Sequence, residues 1–179
     1  MTDEQILDML SDQSKAEHGF RLLMNKYQER LYWHIRRMVI SHEDTNDVLQ
    51  NCLIKAYRGI GGFQRKSSLY TWLYRIATNE AITFLKKRKK RLTASFDDEA
   101  NTFENELIAD PFFDGDDIQL KLRKALEQLP EKQKLVFNLR YYEEMSYKQM
   151  SSVLETSVGA LKASYHHAAK KIEYYLKNH

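Results

Sequence analysis

A chain of 179 residues has room for one ordinary domain or two small ones, and its single cysteine, Cys52, excludes a disulfide framework and any cysteine-based metal site. The net charge of +3 is unevenly laid out: residues 1–91 hold 17 bases and 10 acids, 92–117 hold nine acids and no base, and 118–179 hold 11 bases and six acids. Two basic bodies joined by an acidic tether suit a protein that binds polyanions. No stretch approaches the roughly 20 apolar residues of a membrane span, and the opening MTDEQILDML is too acidic for a secretory signal. A cytoplasmic, soluble protein without membrane insertion is expected.

With two prolines, six glycines and no sustained Val-Ile-Thr alternation, the chain reads as all-α. In FRLLMNKYQERLYWHIRRMVI, Phe20, Leu23, Tyr27, Leu31, His34/Ile35 and Met38 recur at three- and four-residue spacing, which predicts one long amphipathic helix. The next helix starts at Ser41 as a cap, turns Val48, Leu49, Cys52, Leu53, Ala56 and Tyr57 inward, and stops at Gly61 and Gly62. Asp47, Gln50, Asn51 and Ile54 then share its outward face, the geometry for seating against another helix. After the loop GFQRKSSLY, Ser67 or Ser68 caps a third long helix from about Leu69 into the basic run Lys86–Arg91, with Trp72, Leu73 and Ile76 expected in the core. These helices make a first domain, 1–91.

Residues 92–117 mix acids with Thr, Ser, Asn, Gly and Pro and show no helical period, as a flexible acidic linker does, although they also hold Phe96, Phe103, Phe112 and Phe113. The helical pattern resumes at Ile118 and predicts a second domain, 118–179, of four helices: one to about Gln128, one from Pro130 through Tyr141, and two after EEMS. The last two have the spacing of a helix-turn-helix, with a short helix ending near Leu154, a three-residue turn, and Ser157 as the next cap. Leu161, Tyr165, Ala168, Ile172 and Tyr175/Leu176 form the inward stripe of the final helix. Ala160, Lys162, Ala163, His166, His167 and Lys170 face outward; small residues allow close approach to base edges and lysines suit phosphates. Adjacent helical histidines point about 100° apart, so His166 and His167 make no metal site.

LPEKQKLVFNLRYYEEMSYKQMSSVLETSVGALKASYHHAAKKI resembles the C-terminal promoter-binding domain of bacterial sigma factors of the extracytoplasmic-function (ECF) group, and DTNDVLQNCLIKAYRGIGGFQRKSSLYTWLYRIATNEAITFLKKRKK resembles their N-terminal domain. The likeness runs from about Phe20 to Leu176, with both blocks in the family's order. It implies a factor that binds core RNA polymerase, directs it to promoter DNA and helps open the duplex, with an anti-sigma factor as a further partner. The helix bearing Asp47, Gln50, Asn51 and Ile54 matches the family's polymerase-docking surface. The loop and helix after it match the part that captures an unstacked minus-ten base: Phe63, Ser67, Ser68, Tyr70 and Asn79 offer walls and polar groups for it, while Arg65, Lys66, Arg75, Lys86, Lys87 and Arg88 suit the phosphates. Ser157, Ala160, Lys162, Ala163, His166, His167 and Lys170 would meet the minus-thirty-five element. The sequence departs from the family in carrying Glu155 where glycine is common after the first motif helix, and Ser164, His167 and Ala169 where arginines are common.

A free-standing helix-turn-helix regulator is the competing reading, and it leaves the Asp47/Gln50 face unexplained. No Gly-rich phosphate loop, paired-carboxylate cluster or Cys/His constellation is present, so neither an enzyme nor a cofactor is expected. The acidic tether is expected to follow the positively lined channel of polymerase as a nucleic-acid mimic, with masking of the basic faces in the free protein as a possible addition.

Overall fold

The computed structural model describes residues 1–94 and 117–179; the four linker phenylalanines and all the acids expected in the tether except Asp117 lie outside the described residues. Every regular element among the described residues is helical, and the chain divides into two compact units, Met1–Glu99 and Ala100–His179.

The first unit begins with a helix the sequence reading did not single out. Helix α1, Asp3–Ser11, starts with a reciprocal capping box: Thr2 Oγ1 accepts from the Gln5 amide at 3.3 Å, and the Thr2 amide donates to Gln5 Oε1 at 3.0 Å. Its one buried residue is Ile6. α2, Ala16–Val39, passes close beneath it, because Gly19 has no side chain to interfere: a Cβ there would lie 3.0 Å from Met9 Cβ and 3.1 Å from the Leu10 nitrogen. Asp3 fastens the same helix, accepting from the Tyr27 hydroxyl (2.8 and 2.7 Å) and from Lys26 Nζ (2.7 Å). Burial and then that hydrogen bond push the Tyr27 pKa well up.

The stripe expected on α2 is present as Leu23, Tyr27, Leu31, His34 and Ile35, while Phe20 and Met38, at its two ends along the helix, are only half-buried. Ser41 caps α3, His42–Gly59, whose buried face is Thr45, Val48, Leu49, Cys52 and Ala56. Tyr57, expected inward, is 58% exposed and stands edge-on to Phe20 at 4.9 Å. At about 100° per residue it sits about 120° round the helix from Thr45, beyond the reach of the stripe. A 3-10 turn, Ile60–Gly62, leads to the loop before α4, Leu69–Ala94. Of the two candidate caps Ser68 takes the role, its hydroxyl accepting from the Thr71 amide at 3.1 Å. Across the interior, His34 Nε2 meets Thr78 Oγ1 at 2.9 Å and joins α2 to α4.

The second unit holds four helices: α5 (Asp117–Glu127), α6 (Glu131–Tyr141), α7 (Tyr147–Leu154) and α8 (Val158–Asn178). Its core joins Ala125, Leu126 and Leu129 to Phe137, Ala168 and Ile172, with Leu122, Tyr165 and Tyr175 against them. Pro130 is the N-cap of α6, one place earlier than a first-turn proline. Ser146 and Gln149 form a second capping box at α7. Glu155 ends α7 in the left-handed region at φ 51, ψ 40, the conformation glycine would adopt more cheaply, and Ser157 caps α8 by accepting from the Ala160 amide at 3.3 Å.

Candidate nucleic-acid and partner interfaces

Three sets of outward residues stand on these elements. On α3, Asp47, Gln50, Asn51 and Ile54 are all exposed, centred opposite the buried stripe. Ile54 is 43% exposed, an aliphatic side chain in water between polar neighbours.

The second set lies on the loop and α4. Arg75, Asn79 and Lys86 fall at i, i+4 and i+11, within one face of the helix, and Asn79 and Lys86 are exposed. Trp72 shares that face. The sequence reading assigned it to the core, yet it is only half-buried, and Phe63 packs on it with ring centroids 5.2 Å apart. Ile76 is likewise half-buried, and Leu73 alone of the three is core. Aromatic bulk and helical spacing carried no signal separating Trp72 from Leu73, since the surface Trp72 faces is defined by Phe63, folded back from the loop, and by Gly59 at the end of α3.

Not every candidate is free for a ligand. Tyr70 is half-buried, 4.4 Å from the Tyr74 ring and under the Arg30 guanidinium at 5.0 Å. Ser68 uses its hydroxyl as the cap of α4. Arg88 turns away from the Arg75/Asn79 face and pairs with Asp44 of α3 at 3.3 Å, while Arg65 pairs with Asp8 at 3.2 Å. Lys66 and Lys87 are exposed, and Ser67 is half-buried.

The third set is on α8. Ser157, Ala160, Lys162, Ala163, His166, His167 and Lys170 are all exposed. All but Lys162 of the helical residues among them lie within about 60° of Ala163 round the helix axis; Lys162 lies on the flank, its Nζ 5.9 Å from the Tyr147 ring. Arg140 approaches the same ring at 5.4 Å, and Lys148 is exposed beside it. The sequence reading missed this cationic group at the start of α7, although Tyr147 and Lys148 directly follow the cap Ser146. Among the described residues no group of three His, Cys, Asp or Glu side chains could hold a metal ion, and no helix is long and apolar enough to cross a membrane.

Two family descriptions match: Sigma-70 region 2 over residues 23–91, and Sigma-70, region 4, over residues 119–172. The chain is 31% identical to the RNA polymerase sigma-H factor of Pseudomonas aeruginosa over 96% of its own length and 92% of the relative's. It belongs to the sigma-70 family. The ECF RNA polymerase sigma-E factor of Escherichia coli K12 is 30% identical over 97% of this chain and 93% of that one, so this is a sigma factor of the ECF group, which directs RNA polymerase to promoters. Two solved structures share the fold of this sigma factor: RpoE from Bartonella quintana, in complex with the anti-sigma factor NepR (TM-score 0.72, 22% identity, 89% of this chain and 97% of that one), and CnrH, in complex with the cytosolic domain of CnrY (TM-score 0.71, 20% identity, 98% and 97%).

Proposed function

We propose that the sigma factor divides its work between its two units, with residues 1–91 docking on core polymerase and opening the minus-ten element, 118–179 reading the minus-thirty-five element, and 92–117 tethering them. The α3 face is the docking surface: Asp47, Gln50 and Asn51 meet polar or basic partners, and Ile54 contributes an apolar contact. The observation that carries this is the position of Ile54, 43% exposed on the face opposite the core, because an aliphatic side chain held in water among polar groups has most to gain from a partner.

Phe63 and Asn79 serve the flipped minus-ten base, with Trp72 joining Phe63 as the aromatic surface, while Lys66, Arg75, Lys86 and Lys87 meet backbone phosphates. Tyr70 and Ser68 support this surface from within the fold, and Arg88 holds α4 to α3. On the second unit, Ala160, Ala163, His166 and His167 meet base edges, and Lys162, Lys170, Arg140 and Lys148 meet phosphates on either side. The protein acts in the cytoplasm without catalytic chemistry of its own. An anti-sigma factor is a further partner, since the two solved structures described above hold, respectively, an anti-sigma factor and a cytosolic protein domain.

Competition for core polymerase tests the docking face. Asp47→Ala with Gln50→Ala is expected to keep the thermal stability of the parent and lose about ten-fold in core affinity, about 1.4 kcal/mol, the size of loss expected when interface residues that matter, short of a hot spot, are truncated. Unchanged core affinity would remove the assignment. The same preparation distinguishes a free-standing regulator, which would bind its DNA site tightly without polymerase.

A further inference from the structure

Within the loop before α4, Arg65 alone has a left-handed backbone, at φ 54. That region strains a residue with a side chain and not glycine. The side chain placed there is nonetheless a long one, and it reaches back across 57 residues of sequence, a terminal nitrogen of Arg65 donating to Asp8 Oδ1 at 3.2 Å.

Asp8 rides on a well-seated helix. Ile6 is fully buried, Met9 and Leu10 close onto Gly19, and Asp3 is bound by both Tyr27 and Lys26. α1 also borders the 3-10 turn that leads into the loop. A fixed wall therefore stands beside a loop whose strained point is tied to it. A guanidinium has five N–H donors, and the contact with Asp8 occupies one terminal nitrogen, leaving donors for a phosphate.

We propose that Asp8 is a positioning residue for the base-capturing loop, and that through it α1 is part of the promoter-opening machinery. The proposal rests on the reading of Phe63 and Asn79 given above. Asp8 biases the loop toward the conformation in which Arg65 is left-handed and oriented and Phe63 lies on Trp72. Both side chains are more than half exposed, so the pair contributes little to folding, and its removal reads out on loop population instead.

The test uses holoenzyme assembled from core polymerase and full-length protein, on a promoter fragment selected from a random DNA library by the wild-type holoenzyme. Closed-complex affinity and the rate of strand opening, followed by permanganate reactivity, are measured for Asp8→Asn, Asp8→Glu, Phe63→Ala and Asn79→Ala. Asp8→Asn is expected to leave closed-complex affinity and thermal stability unchanged and to slow opening about two- to five-fold, the shift an exposed ion pair can supply. Asp8→Glu restores most of the rate, and the ratio of wild type to Asp8→Asn narrows as salt is raised. If Phe63→Ala and Asn79→Ala slow opening while Asp8→Asn matches wild type at low salt, the positioning role fails and the base-capture reading stands. If Phe63→Ala and Asn79→Ala are themselves without effect, the base-capture reading fails, and the proposal with it. Faster opening by Asp8→Asn would make Asp8 a competitor of DNA for Arg65 and overturn the proposal, as would a loss of stability that accounts for the slower rate.

Discussion

His34 is the residue where chemistry and packing conflict most sharply. It is fully buried between α2 and α4, its Nε2 satisfied by Thr78 and its ring 5.0 Å from Tyr74, and burial, followed by the nearby charge of Arg37, lowers its pKa to about 3. The folded ring stays neutral at pH values where the unfolded chain, with a pKa near 6.5, takes up a proton. Below pH 6.5 the unfolded state thus binds more protons, and the first unit loses about 1.4 kcal/mol per pH unit from this group as pH falls toward 3. Thermal unfolding of wild type and His34→Gln between pH 7 and 5 checks this: the wild-type curve is expected to fall more steeply, whatever the offset between the two. Parallel curves would mean that the imidazole titrates alike in both states. A lone histidine in an apolar stripe was readable as core from spacing alone; that it also bridges to Thr78, 44 residues away, depends on how two helices cross, which no local pattern encodes.

At the level of elements, α1 depends on one missing side chain. Gly19→Ala would put a methyl group 3.0 Å from Met9 Cβ and 3.1 Å from the Leu10 backbone nitrogen, tighter than ordinary van der Waals contact, so that α1 must give way by a few tenths of an ångström. Overpacking of this kind costs about 1–3 kcal/mol, partly offset by the better helix propensity of alanine, about 1 kcal/mol. The first unit should lose several degrees in Tm, and hydrogen exchange in α1 should quicken more than in α3. Equal exchange in the two helices would show that α1 does not depend on this contact. Legibility divides along the same line. α2, α3 and the helix-turn-helix announce themselves, because each has several turns of periodic apolar residues or a serine cap at its start. α1 has nine residues and a single buried one, too few to make a period. Tyr57 and Trp72 were misplaced in the same direction: both were expected inward and both lie outside the buried stripe of their helix, each met by a ring from another part of the chain, Phe20 and Phe63. The α3 and α8 outward faces were legible for the converse reason, since polar and small residues opposite a strong apolar stripe have only one side to occupy.

On the scale of the whole molecule, charge segregates along the chain, and the predicted effect of removing that pattern is functional. Replacing the nine acids of 92–117 by Asn, Gln and Ser is expected to leave the unfolding of both units unchanged and to weaken binding to core polymerase, because an acidic tether suits a basic channel. Stronger, salt-sensitive binding of the free variant to nonspecific DNA would instead assign the acids to masking of the basic faces. A variant equal to its parent in both assays would leave the acids a solubilising role. These measurements benefit from a feature of the first unit unrelated to its charge. The only thiol of the chain, Cys52, is wholly buried in α3, and burial followed by the charge of Glu80 pushes its pKa up to about 12, so it forms almost no thiolate at neutral pH. Maleimide dyes will pass over it. A cysteine introduced on the surface of each unit can therefore be labelled in an otherwise native background, and fluorescence energy transfer between the two dyes gives a direct ruler for the distance between the units with and without polymerase.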